Sequence, residues 1–396
     1  MAHRSKHLSK RVVLFIAVIL ICIVCVYHAP FSTILPPPAP AAVVNNTCPS
    51  VLDHMTQGQW ITRPLSLVEK RKSEDFYALA LQMHGVPASL QRPDGQCGNQ
   101  GYSQVSPFIR AMCSPTGTTP CCFNFRCKNV TEDLCRCPNC WDLRQSIHAE
   151  YSTWRTGDPR CSPQETSEKE ICRLLDGAYL YFIGDSLIRH MYTGLLMAIR
   201  HNFEDGGLRS TEDADIKKRC SGMNMYEEKL CRAKLPQNVT ELCGGRVRLR
   251  FTPYYNFQFS KQFQQAFFDA PRTKRSYFVV GIGFHVGLDS NSIYNHYLKP
   301  VLDFMTKQPW PKLMWMHLHA PSSMKRSNTQ NEPQVIAFNE RMSKLLKPHG
   351  IPIMPTYNMT IGVRSFDGTH YGIGINVLKA KIFINYLKEL QTKGIW

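Results

Sequence analysis

Apolar residues are distributed unevenly along the chain. Before about residue 172 the only long apolar block is residues 12–27, VVLFIAVILICIVCVY, sixteen positions without a charge. From Arg173 onward short solid apolar runs alternate with stretches of helical period. AYLYFIG (178–184) reads as a strand buried on both faces. Ile188, Met191, Tyr192, Leu195 and Ile199 then recur at helical spacing. RVRLRF (246–251) alternates strictly, with Val247, Leu249 and Phe251 on one face and three arginines on the other, as in a half-exposed strand with a solvated basic face. SYFVVGIGFH (276–285) and LMWMHLHAP (313–321) read as buried strands, and IPIMP (351–355) as a further short one. Residues 293–304 suit a helix broken or kinked at Pro300. Residues 331–350 suit a second, with Pro333 in its first turn, apolar Ile336, Met342 and Leu346, and Gly350 near its end. Ile375, Leu378, Ile382 and Tyr386 put one stripe on a last helix over 375–390. Strand–helix alternation of this kind predicts an α/β sandwich around a largely parallel sheet. No internal repeat is visible.

The block at 12–27 changes the picture of the N-terminal part. As a helix it spans about 24 Å, short for a membrane span, and residues 28–31 can extend it. No small-x-small cleavage site closes it, so a retained anchor over 12–28 is favoured over a cleaved signal peptide. Arg4, Lys6, Lys10 and Arg11 precede it and belong on the cytosolic side, which gives a 1–11 tail and a type II orientation. A short span suits the thinner membranes of the early secretory pathway and Golgi. ILPPPAPAAVV then predicts an extended proline-rich stalk over 29–47. Of sixteen cysteines, two lie in the apolar block and fourteen crowd between Cys48 and Cys243. In an oxidising lumen they predict disulfides, with pairing open; zinc at Cys135, Cys137 and Cys140, or redox chemistry at the Cys137–Cys140 pair, is the lesser reading. Sequons at Asn45, Asn129, Asn238 and Asn358 agree with a lumenal glycoprotein. Residues 48–172 therefore read as a cysteine-rich lumenal segment, loop-rich and packed beside an α/β domain over 173–396. The net charge of +17 is spread along the chain without a nucleic-acid motif. It is compatible with anionic glycans or a membrane surface.

Candidate chemistry sits at the two ends of the α/β region. In YFIGDSLIRH, Ser186 ends a buried strand and begins a helix, where ligands gather in open α/β sheets and where helix amides favour an oxyanion. A serine there is equally a helix cap unless a base and an orienting group accompany it. SFDGTHYG supplies both, Asp367 and His370, with Gly368 easing the turn between them.

IGDSLIRH followed about 180 residues later by DGTHY resembles the SGNH/GDSL superfamily in its PC-esterase branch. That branch includes the trichome-birefringence-like glycan O-acetyltransferases and the sialic-acid O-acetyltransferases. The resemblance covers roughly residues 172–390 and implies an SGNH-like three-layer α/β sandwich. It implies Ser186 as nucleophile, His370 as general base and Asp367 as its partner, with Asp185 supporting the turn. Gly281 or Gly283 would supply an oxyanion amide. No G-x-N-D block is present, so the family's oxyanion asparagine is unplaced between Asn291 and Asn295. His285 and Arg189 are candidates for binding substrate. The implied activity is O-acetyl transfer to a glycan through an acyl-serine, with acetyl-ester hydrolysis as the alternative. No bound cofactor or metal is expected, transfer needs an acyl donor of unknown identity, and the oligomeric state is open. Two readings of another class remain: a metal-dependent glycosyltransferase using Asp213 and Asp215, and an inactive lumenal binding protein.

Overall fold

A strand without a polar face has to be covered on both sides, and the apolar runs of the C-terminal half meet that requirement by pairing in parallel. The computed structural model describes residues 47–102, 106–114, 117–130, 135, 147–227 and 229–396. The central sheet contains β1 (Tyr179–Gly184), β2 (Asn238–Glu241), β3 (Val247–Thr252), β4 (Ser276–Gly281), β5 (Lys312–Met316) and β6 (Ile353–Met354). Their spatial order is β6-β5-β4-β1-β3-β2. All pairs are parallel except β2 with β3.

Alternating side chains hold helices on the two faces. On one face Phe182 meets Tyr192 and Phe383, and Tyr277 meets Phe383 and Tyr386. These contacts bring in α2 (Ser186–Ile199) and α6 (Ile373–Thr392). On the other face Phe278 packs against Tyr181 and Phe267, the latter on α3 (Ser260–Phe268). The fold is thus the expected three-layer α/β sandwich with a mainly parallel sheet. Helix α2 is buried on every face from Leu187 to Ile199, because α6 and the segment around Tyr226 cover what the sheet does not.

Several elements depart from the periodicity. Strand β4 stops at Gly281 rather than running to His285, and Gly281 turns its carbonyl to the Asp185 amide at 3.3 Å. Over residues 293–304 the helix is a π-turn, Ile293–Leu298, followed by α4 (Lys299–Met305). Pro300 is tolerated because it falls in the first turn of α4. In α5 (Glu332–Leu346) the buried residues include Val335, Phe338, Met342 and Leu346, whereas Ile336 is exposed. Strand β2 is four residues long with only Val239 buried, too short and too polar to announce itself.

The cysteine-rich segment is more regular than its sequence suggests. It carries α1 (Leu67–Met83), started by a capping box in which Ser66 Oγ accepts the Glu69 amide and Glu69 accepts the Ser66 amide. Three antiparallel ribbons accompany it, Gly58–Ile61 with Thr153–Thr156, Gly98–Tyr102 with Ser106–Ala111, and Cys121–Phe123 with Arg126–Lys128. Disulfides join Cys48 to Cys161, Cys97 to Cys122, Cys113 to Cys127, Cys121 to Cys135, Cys172 to Cys243 and Cys220 to Cys231. Cys137, Cys140, the apolar block and nearly all of the stalk lie outside the described residues. Among the described residues no helix is long and apolar enough to cross a membrane.

Residues Thr47–Trp396 form one compact unit. The segment before 172 reaches into the α/β layers at several points. The Val51 amide donates to Glu389 on α6, Trp60 Nε1 to the Met359 carbonyl, and the Tyr77 hydroxyl to the Arg364 carbonyl.

Helices α2 and α6 meet at Gly194, where a β-carbon would lie 2.4 Å from the Asn376 carbonyl oxygen. That approach is available only to glycine. Gly194→Ala is expected to force the helices apart and destabilise the unit by roughly 1–3 kcal/mol, even though alanine is the better helix former. Denaturant unfolding of both proteins measures it.

Candidate active site

The turn after β1 is built so that α2 starts at the sheet's C-terminal edge. Asp185 caps the helix, its Oδ1 accepting the Leu187 amide at 2.9 Å. Ser186 is the first helical residue, and its amide therefore has no partner within the helix. The second loop, Ser365–Tyr371, folds on itself. Asp367 Oδ1 accepts the amides of Thr369 and His370 at 2.9 and 2.8 Å. Ser365 Oγ donates to the His370 carbonyl and accepts the Gly368 amide. Gly368 has φ +89°, and a β-carbon there would fall 2.8 Å from the Lys325 backbone, so both its conformation and its space require glycine.

The two loops bring three side chains into a line. His370 Nε2 lies 2.5 Å from Ser186 Oγ, and His370 Nδ1 lies 2.5 Å from Asp367 Oδ2. Phe366 stacks on the His370 ring and His190 packs against it, with ring centroids 5.9 and 5.2 Å away. Burial alone would raise the Asp367 pKa. The charge of His370 and the hydrogen bonds from its ring and backbone outweigh that effect, and hold the carboxyl below the usual carboxylate range. An ionised Asp367 keeps a proton on Nδ1 and leaves Nε2 to accept from Ser186.

Ser186, Asp367 and His370 line a cavity of about 250 Å³ together with His84, Phe108, Ile109, Lys229, His285, Lys325 and Thr369. His285 is therefore at the site, its ring 4.9 Å from that of Tyr255. Gly281 and Gly283 are packed between elements. Their β-carbons would lie 3.0 Å from Ile188 Cδ1 and 2.6 Å from Leu318 Cδ1 respectively. Arg189 is 4% exposed on α2 and does not line the cavity. Asn291 and Asn295 are exposed and do not line it either. Asp213 is exposed and caps a short helix, Ala214–Arg219, by accepting the amides of Asp215 and Ile216. A larger cavity of about 540 Å³ beside Trp60 and Trp154 contains none of the three aligned residues.

The sequence offered no sign of the wall opposite Ser186. His84, Phe108 and Ile109 come from the cysteine-rich segment, and Ile109 bridges to Lys325 in the loop after β5. Lys325 Nζ donates to Thr369 Oγ1 at 2.9 Å, and burial pushes its pKa down against the opposing charge of Asp367. No spacing rule links residues so far apart.

A second group of buried titratable residues lies beneath the turn. Lys379 on α6 is fully buried, its Nζ 3.4 Å from the Leu187 carbonyl and 3.3 Å from His319 Nε2. Burial pushes the Lys379 pKa down to about 7, and Asp185 partly opposes this. Asp185 is also buried, which raises its pKa against the charges of His285, His370 and Arg189 and the Leu187 amide.

No protein-family model matches the chain, and no curated protein matches it. Among solved structures it is similar to a variant of an acetyl-xylooligosaccharide esterase from Geobacillus Stearmophilus, 11% identical, with a TM-score of 0.30. The match covers 54% of this chain and 95% of that one. What the site can do follows from the chain's own geometry.

The lysine generates a pH prediction. Its folded-state pKa of about 7 lies below the unfolded value of about 10.4. Between those values the unfolded chain holds the extra proton, so Lys379 makes stability rise with pH, and its full cost is present below about 7. Lys379→Met is expected to remove that dependence and to stabilise the protein near neutral pH by on the order of 4 kcal/mol. Urea unfolding of both proteins near pH 6 and pH 10 measures the difference.

Proposed function

We propose that the chain is a serine-dependent O-acyltransferase that moves acetyl groups onto glycans from a lumenal, membrane-anchored position. The observation that carries this reading is the unbroken line Ser186–His370–Asp367, with both contacts at 2.5 Å, in the lining of a cavity. In the first step His370 Nε2 takes the Ser186 proton as Oγ attacks the acetyl carbonyl carbon. The oxyanion of the tetrahedral intermediate is held by the Ser186 amide at the positive end of α2. Neither Gly281 nor Gly283 lines the cavity, and the Gly281 carbonyl is bonded to the Asp185 amide within the turn. The Leu187 amide is excluded because it caps on Asp185. His370 then returns its proton to the departing alcohol, leaving acetyl-Ser186. A sugar hydroxyl, deprotonated in turn by His370, attacks that ester and restores the serine. His285 contacts the substrate, and Asp185 aims the turn.

Water in place of the sugar makes the same site an acetyl-ester hydrolase, and the first step is common to both. The family resemblance favours transfer. Asp213, engaged as a helix cap, gives no support to metal-dependent glycosyl transfer.

Ser186→Ala is expected to lower turnover of an activated acetyl ester by at least about a thousandfold. A secreted form of residues 48–396 serves for the assay. Mass spectrometry is expected to find acetyl on the Ser186 peptide of the unaltered protein alone, and product analysis with candidate glycans separates transfer from hydrolysis. Equal turnover in both proteins would end the proposal. For the location, the full chain expressed in secretory cells is expected to pellet with membranes and to lose mass on N-glycosidase treatment. Asn129, Asn238 and Asn358 are all exposed. A soluble, glycosidase-insensitive product would refute the location.

A further inference from the structure

His84 is the residue of the cavity wall with the least obvious reason to be there. It follows α1 directly and caps it, its amide donating to the Ala80 and Leu81 carbonyls. The side chain is 22% exposed, yet its Nε2 is buried and makes no hydrogen bond. A buried ring nitrogen without a partner is unfavourable and calls for an explanation. The atom lies 3.9 Å from Asp367 Oδ2, the same carboxylate oxygen that His370 Nδ1 approaches. That gap is about 1 Å longer than a hydrogen bond. Contacts of this kind commonly tighten when a site is occupied.

The packing around the pair gives His84 little freedom. Phe76 on α1 packs edge-on against Phe366, at 5.5 Å, beside Asp367 in the loop. The Tyr77 hydroxyl holds the Arg364 carbonyl, and Lys229 Nζ holds the Met83 carbonyl next to His84. The middle of α1 is therefore fixed to the loop that carries Asp367 and His370, and Lys229 holds its last turn.

We propose that His84 is a positioning residue for the reaction, a second imidazole that donates from Nε2 to Asp367 Oδ2 and holds the carboxylate in register with His370. The inference rests on the Ser186–His370–Asp367 reading. It makes the disulfide-stapled segment a functional part of the site. Asp367 shared between two imidazoles exerts a weaker pull on the proton of His370. Removing the His84 donor strengthens that pull, so the imidazolium form of His370 persists to higher pH. Among the described residues the other ionisable groups facing these are Asp185 and His190 around α2, His285, His319, Lys229 and Lys325. They stay in place in a His84 variant.

The test compares His84→Ala, His84→Gln and Ser186→Ala on a small acetyl ester across a pH series. His84→Ala is expected to lower kcat roughly tenfold, leave KM nearly unchanged and move the acid limb of kcat/KM to higher pH. His84→Gln, which keeps an N–H donor, is expected to recover most of both effects. Unchanged kcat, a change confined to KM, or an unmoved acid limb in His84→Ala would overturn the inference. If Ser186→Ala is inactive while His84→Ala behaves as the unaltered protein, the inference alone fails. If Ser186→Ala is fully active, the parent reading fails and takes the inference with it. A measurement on the unaltered sequence covers a variant that does not fold: covalent modification of Ser186 by a serine-directed probe is expected to shift the His84 imidazole nitrogen resonances, and unmoved resonances would overturn the inference.

Discussion

The site depends on how closely two helices approach. Helix α2 begins at Ser186 and α6 begins just after His370, so their crossing decides whether those residues meet. Gly194 sets that crossing by admitting the Asn376 carbonyl into the space a side chain would fill. Asn376 is itself fully buried, and its Nδ2 donates to the carbonyls of Tyr371 and Gly372, which ties the start of α6 to the histidine loop. One close contact therefore joins the segments that carry Ser186 and His370, residues 184 positions apart in the chain. Burial of α2 on all faces makes the arrangement stiff, since close-packed interiors transmit displacement rather than absorb it.

The buried polar groups beneath the turn are the counterpart of that stiffness. Asp185 uses one oxygen to cap α2, while its Oδ2 has no hydrogen bond. Lys379 and His319 lie in the same interior with long contacts of 3.3–3.4 Å. Apolar side chains of similar volume would pack there at lower cost. Stability is being given up where the fold presents Ser186, as expected where function and folding compete for the same residues.

The cysteine-rich segment has a larger part than its composition suggests. Disulfides commonly compensate for a core too small to hold itself together. Here they also hold a surface: the hairpin bearing Phe108 and Ile109 is locked by Cys97–Cys122 and Cys113–Cys127 and closes over the cavity through the Ile109–Lys325 bridge. Helix α1 supports the Asp367 loop from the same side. The boundary near 172, a clear change in the sequence, is crossed repeatedly by contacts in space.

The fold class was legible in the chain because sheet and helix periods are local. The runs at 178–184, 276–281 and 313–316 had to be covered on both faces, and strand–helix alternation then left few ways to order them. The aligned serine, carboxylate and imidazole were legible as residue types at strand and loop ends, since the chemistry restricts which side chains can serve. The edge strand at Asn238 and the π-turn at Ile293 were not, because pairing partners and helix covering decide them. Nor could the wall opposite Ser186 be foreseen: His84, Phe108 and Lys325 become neighbours only when a hairpin, a helix end and a loop converge. Local pattern determines which elements form and which groups could react. Distances between groups remote in sequence are set by packing, and only the folded chain holds that information.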